Sequence, residues 1–194
     1  EGVIRVGGEP VHHPSPALLL KRGLCYFPSD RVAEGLALGR PIRENASMTA
    51  LDLPTYSRRG VLQRGSERRA IQSIAERLKL RPPQIERAVA NLSGGNRQKV
   101  AFAKWLATGP SVLILDEPTH GVDIGSKAQV HAMIAALAER GLAVVLISSD
   151  LPELLAMSDR ILVIAEGALV AEFARGEATQ EAVMSAAAQQ GRRR

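Results

Sequence analysis

Between Leu92 and Lys127 the chain reads LSGGNRQKVAFAKWLATGPSVLILDEPTHGVDIGSK, an order of residue types that few folds accommodate. It begins with a small polar residue and two glycines, Ser93-Gly94-Gly95, then Asn96. Val100-Ala101-Phe102-Ala103-Lys104-Trp105-Leu106 follows, with apolar residues three and four apart. The spacing predicts an amphipathic helix with Ser93 as its N-cap. Bare glycines at a helix start leave the first-turn N–H groups open to an approaching molecule, and the aligned peptide dipoles favour an anion there.

The second half of the stretch, Val112-Leu113-Ile114-Leu115, is too short for a helix and rich in branched residues, which predicts a central strand of a parallel sheet. It ends in Asp116-Glu117 and is broken by Pro118-Thr119. Open parallel sheets bind ligands at the C-terminal ends of their strands. A carboxylate at that edge (Asp116) is placed to hold a magnesium ion on a nucleotide, and the next (Glu117) to take a proton from an attacking water. Taken alone, an Asp-Glu pair after a strand is more often a solvated turn. Its spacing from a glycine-capped helix favours phosphate chemistry.

On these residues the chain resembles the ATP-binding cassette (ABC) ATPases. Leu92 to Asn96 looks like their signature loop, Val112 to Thr119 like the Walker B strand with its catalytic glutamate, and Gly121-Val122-Asp123 like the D-loop. The longer strings are similar to the second nucleotide-binding domain of ribose- and galactose-type sugar importers. The resemblance implies an α/β fold: a P-loop NTPase-like ABC ATPase core with a mainly parallel sheet, plus a helical subdomain. It implies ATP and Mg2+ as cofactors, with Glu117 catalytic and Asp116 on the metal. Ser93, Gly94, Gly95, Asn96 and Asp123 would contact nucleotide. Ser29 falls where the family carries the Q-loop glutamine and Ser149 where other members carry the switch histidine. Serine is too short for the glutamine's task, so either Asp30 or Arg31 substitutes or the position is degenerate.

The expected organisation is a partial core with the Q-loop region over 1–39, a helical subdomain over 40–92, core again over 93–188 and a tail over 189–194. Glu1 to Val6 reads as a strand before a Gly7-to-Pro10 turn, Ser15 to Arg22 as a helix and Leu24 to Phe27 as a strand. Ile42 to Leu51 looks helical and Pro54 to Gly65 is a loop. Ser66 to Leu80 is an amphipathic helix with Ile71, Ile74, Ala75 and Leu78 on one face. A short helix near Gln84 to Val89 leads to the signature loop. Lys127 to Arg140 is a helix closed by Gly141, Leu142 to Ile147 a buried parallel strand, and Pro152 to Leu155 starts a helix. Arg160 to Ala165 and Ala168 to Phe173 form a hairpin around Glu166-Gly167, and a helix over Thr179 to Ala188 ends the fold.

No motif of the form G-x-x-x-x-G-K-[ST] occurs in the 194 residues. Since that loop supplies most of the grip on β- and γ-phosphates, the chain by itself is expected to bind Mg-ATP weakly. The expectation is a C-terminal portion of the domain, truncated or naturally short, with an uncovered sheet edge that promotes self-association. The single cysteine, Cys25, sits in an apolar strand and reads as packing. No apolar segment reaches the roughly 18 residues of a transmembrane helix, so the membrane is reached through a partner.

Residues 40–87 carry eleven Lys/Arg against five Asp/Glu. With almost no interleaved aromatics, this region reads as a solvated face toward a protein partner rather than nucleic acid. The resemblance names the partners as a facing nucleotide-binding domain and a membrane permease contacted by the helical subdomain. Localisation would be cytoplasmic, peripheral on the inner face of the cell membrane. Three functions remain open: an importer ATPase, a degenerate domain that only closes on ATP held by its neighbour, and a non-transport cassette ATPase. Asn96-Arg97-Gln98-Lys99 argues against the last.

Overall fold

A computed structural model describes residues 3–29 and 35–189. Asp30 and Arg31, the alternatives to Ser29, lie outside the described residues, as do Glu1, Gly2 and the tail from residue 190. The chain divides into two compact units, Glu1–Val145 and Leu146–Arg194.

The first unit opens with a small hairpin, β1 (Arg5–Val6) and β2 (Glu9–Pro10), so the opening strand is shorter than its apolar residues suggested. Helix α1 (Pro16–Lys21) starts on Ser15, whose hydroxyl accepts from the Leu18 N–H, and strand β3 (Leu24–Phe27) follows. Next come α2 (Ile42–Ser47), the hairpin β4 (Ser57–Arg58) and β5 (Val61–Leu62), and α3 (Arg64–Arg77). Then α4 (Gly94–Leu106) leads into β6 (Val112–Asp116), α5 (Ile124–Ala138) and β7 (Ala143–Ile147).

β3, β6 and β7 form one sheet in that order, and β3 runs parallel to β6 with Cys25 opposite Leu113 and Phe27 opposite Leu115. The core sits where α4 crosses this sheet. Phe27 and Phe102 stack with ring centroids 4.6 Å apart, and Leu113 and Leu115 are fully buried. Cys25 packs there as expected, its thiol pushed up by burial and within 3.3 Å of the Thr108 hydroxyl. Lys104, on the same helix, is buried and donates to the Gly35 carbonyl at 3.0 Å, tying α4 to the chain that follows β3. Burial holds its ammonium below the usual lysine range.

Several local expectations change. The 84–89 segment is not α-helical: a turn leads to a short 3₁₀ turn at Val89–Asn91. The carbonyls of Ile85 and Arg87 accept from the Arg43 and Ile42 N–H groups, so the segment satisfies the orphan donors at the start of α2 instead of its own ladder. The Pro54–Gly65 loop contains the β4–β5 hairpin, with Arg59 and Gly60 both left-handed as a two-residue connection requires. α2 stops at Ser47, short of Leu51. β7 is not uniformly buried: Val145 is 49% and Ile147 48% exposed, the alternation of a strand at the end of its sheet among the described residues.

The basic region is only partly solvated. Arg43 reaches Glu67 at 2.8 Å and Glu86 at 3.0 Å, and Ser47 donates to Glu67 at 2.6 Å, although Glu67 is only 2% exposed. The Glu86 hydrogen bond raises the Arg43 pKa, and the same contact lowers that of Glu86. The network pins α2, α3 and the 84–88 segment together.

In the second unit, α6 (Leu151–Met157) is capped by Asp150, whose carboxylate accepts from the Glu153 N–H at 3.1 Å. The hairpin β8 (Arg160–Ala165) and β9 (Ala168–Ala174) turns on left-handed Glu166 and Gly167, as expected. Ile161 and Val163 pack with Val183 of α7 (Gln180–Gln189) to form this unit's core.

Candidate functional site

Ser93 stands at the N-cap of α4 with extended backbone, but its hydroxyl makes no capping bond. It accepts instead from the Asn96 side-chain amide at 3.0 Å, while the Asn96 carbonyl oxygen accepts from the Arg81 N–H at 3.0 Å. Asn96 thus ties the loop to the chain beyond α3. The first turn keeps its donors uncapped by side chains, as an anion site requires. A β-carbon on Gly94 would meet nothing within 4 Å, whereas one on Gly95 would come within 2.9 Å of the Ser126 hydroxyl.

Ser126 connects this loop to the next expected site residue. The Asp123 carboxylate caps α5, accepting from the Ser126 N–H at 2.9 Å and its hydroxyl at 2.7 Å. Those bonds lower its pKa. Gly95, Ser126 and Asp123 are therefore contiguous, with the carboxylate engaged as a helix cap.

Asp116 ends β6 and Glu117 follows in a left-handed conformation, φ 47°. Across the sheet, the Tyr26 hydroxyl donates to Asp116 Oδ2 at 2.7 Å. Sequence reasoning missed this contact. Its signal was a hydroxyl-bearing residue alternating with buried Cys25 and Phe27, in a strand whose parallel register brings it opposite Ile114. Gln98 was missed as well: it is buried on α4, and its amide donates to the Pro118 carbonyl, coupling the glycine-started helix to the strand end that carries both carboxylates. Ser29 leaves β3 two residues beyond Phe27, as Glu117 leaves β6 two beyond Leu115, and it is exposed. Ser149 lies in the second unit, between β7 and α6.

Among the described residues no three His, Cys, Asp or Glu side chains cluster as a metal cage. One or two carboxylates at a strand end suit a magnesium ion whose remaining ligands are phosphates and water. No helix among the described residues is long and apolar enough to cross a membrane.

A helix that begins on glycines beside a parallel strand ending in adjacent carboxylates, all on one α/β unit, defines an ATP-binding cassette core. The chain belongs to the ABC transporter family, whose profile matches residues 1–120. The fold is that of solved cassettes: the ADP- and phosphate-bound dimer of MJ0796 has TM-score 0.72, 20% identity and coverage of 90% of this chain and 73% of that one. CbiO1 of Clostridium perfringens, part of the CbiONQ transporter complex, has TM-score 0.74, 19% identity and coverage of 95% and 70%. The sequence is 48% identical over 186 residues to "Ribose import ATP-binding protein RbsA 2" of Streptomyces avermitilis, covering 96% of this chain and 36% of that protein. It is 47% identical over 187 residues to the ribose import ATP-binding protein RbsA of Jannaschia sp., again with 96% and 36% coverage. The chain thus spans little more than a third of these relatives' length.

Proposed function

We propose that this chain is the later part of a nucleotide-binding domain, the second of two, in the ATPase subunit of an importer for ribose-type sugars. The observation that carries the reading is the Gln98–Pro118 hydrogen bond, which links the helix with the anion-ready start, α4, to the strand end that bears the carboxylate pair. Names of relatives near half identical supply the sugar class. ATP and Mg2+, when bound, supply the scissile phosphate and its charge neutralisation.

In this reading the first-turn N–H groups of Gly94 and Gly95 serve the γ-phosphate of a nucleotide held by the facing domain, with Ser93 and Asn96 shaping the loop. Asp116 and Glu117 serve the nucleotide of their own domain, Asp116 toward its metal and Glu117 toward the attacking water, flanked by Asp123 of the D-loop. Residues 40–92 form the helical subdomain that meets the membrane permease, so the protein is cytoplasmic and peripheral on the inner membrane face. Self-association of the chain through its open sheet edge, and absence of nucleic acid among its partners, belong to the same reading.

Tyr26 would position Asp116 by holding one carboxylate oxygen and leaving the other for the metal. Tyr26→Phe is expected to keep the fold, since the side chain is 45% exposed. In the full-length protein it should weaken Mg2+-dependent nucleotide binding at this domain's site by about tenfold, the lower range for groups that orient a metal ligand. Titrating Mg2+ against a fluorescent nucleotide analogue checks this, and an unshifted curve removes Tyr26 from the site.

A second reading, favoured by serine at both positions 29 and 149, makes this domain's own site silent while its signature loop completes the neighbour's. Glu117→Gln in the full-length protein distinguishes the two. We expect total turnover nearly unchanged, because a group in a silent site has no rate to lose. A drop of about 10²- to 10⁴-fold with nucleotide still bound would establish Glu117 as a general base and this domain as catalytic.

A further inference from the structure

Next to the signature loop, and apart from the carboxylates, a groove of about 550 Å³ runs between the C-terminal end of α3, α4 and α5. One wall is a single helical face: Gln129, Ala132, Met133, Ala136, Leu137 and, just past the helix, Arg140 recur at intervals of three and four. Eleven residues of helical rise make that wall about 16 Å long, three turns. Leu78 and Leu106 extend the apolar lining.

The groove also contains Arg77, Lys79, Arg81, Lys99 and Arg140 and no acidic residue. Among the described residues none of these five is paired with a carboxylate. They are held together structurally: the Lys99 ammonium donates to the Lys79 carbonyl at 3.0 Å, and the Arg81 N–H to Asn96 at 3.0 Å. Burial depresses the Lys99 pKa first, and repulsion from Arg81 and Lys79 adds to it. α5 meanwhile buries Val130 and Ile134 toward the core while Ala132 and Ala136 stand exposed. A helix apolar on a second face has a second surface to cover.

We propose that this groove docks an acidic amphipathic helix of a partner protein. The helix lies along α5 with its apolar stripe on Ala132, Met133 and Ala136 and its carboxylates against Arg77, Arg81 and Arg140. Length, apolar lining and uniform positive charge match the helix-in-groove mode of recognition, and the absence of any acid in the groove selects against basic or neutral helices. Ser93, Gly95 and Asn96 line the same groove, so the occupant touches the signature loop. The inference goes beyond the ATPase reading and does not depend on Asp116 or Glu117.

The test uses the full-length protein and a fluorescein-labelled peptide of about four helical turns, Leu at i, i+3, i+4, i+7 spacing and Glu elsewhere, followed by anisotropy. The expected dissociation constant is on the order of 10 μM at low salt, weakened at least about tenfold by high salt. The double variant Arg81→Glu/Arg140→Glu should weaken binding at least about tenfold. Ala136→Trp, which fills the groove without changing charge, should abolish it. These changes are at exposed positions, and circular dichroism verifies folding. Four results overturn the proposal: no peptide binding, equal binding of the Lys-for-Glu peptide, binding that survives Ala136→Trp, or phosphatidylglycerol vesicles binding in place of the peptide.

Discussion

On the proposed reading, Gly94→Asp in the full-length protein is expected to cut hydrolysis at the composite site that this loop would complete by at least about 100-fold, the range for losing a charge-stabilising donor group. The cause is electrostatic. A β-carbon at Gly94 meets nothing within 4 Å, and Gly94 is not among the residues with positive φ, so aspartate fits without strain. It puts a negative charge beside the uncapped first-turn N–H groups that, on the proposed reading, meet the γ-phosphate. Gly94→Ala is the control: it adds bulk without charge and should retain much of the activity. Single-site turnover with occupancy measured by radiolabelled nucleotide distinguishes the outcomes, because on this reading ATP should still bind the facing domain's phosphate loop. Wild-type hydrolysis in Gly94→Asp would refute the assignment of Leu92 to Asn96.

The second large effect is on stability. Arg43→Leu leaves the Glu67 carboxylate, 2% exposed, with the Ser47 hydroxyl as its remaining hydrogen-bond donor among the described residues. Breaking a buried pair from one side costs about 3–5 kcal/mol, a large fraction of the about 5–15 kcal/mol that holds a domain folded. Glu86→Ala, removing the partner that is 43% exposed, should cost about 1 kcal/mol or less. Urea unfolding of both variants checks the ordering. Arg43→Leu/Glu67→Leu should recover most of the loss, since the penalty comes from the orphaned charge. Equal effects of the two single substitutions would mean that Glu67 is not held by Arg43.

The elements legible in the sequence are those whose cause is local. α4, β6 and the β8–β9 hairpin follow from apolar spacing, a run of branched residues and Glu166-Gly167, all readable within a few positions. What was not legible depends on distant partners. The 84–88 segment looks weakly helical until α2 needs its carbonyls, and Glu67 looks like one more polar residue on α3 until Arg43 closes over it. The exposed alternation of β7 could not be inferred from five apolar letters, because burial is set by neighbouring strands. At the candidate site, residue types and order were readable, but the tethers Tyr26–Asp116 and Gln98–Pro118 span 90 and 20 positions and left only faint traces. Ser93 shows the limit of propensity: it occupies the cap position while Asn96 claims its hydroxyl.

Glu117 holds a backbone conformation that side-chain-bearing residues enter at a cost of about 1–2 kcal/mol. Glycine there would relieve that cost and give back about 0.5–1 kcal/mol through the entropy of the unfolded chain, for a net change near zero or slightly favourable to folding. On backbone grounds alone glutamate is not the residue that folding favours at this position, and a Glu117→Gly protein should lose no stability through its backbone. The backbone does not account for a carboxylate after β6, and thermal stability paired with activity at this one residue separates the demands of the fold from those of the proposed chemistry.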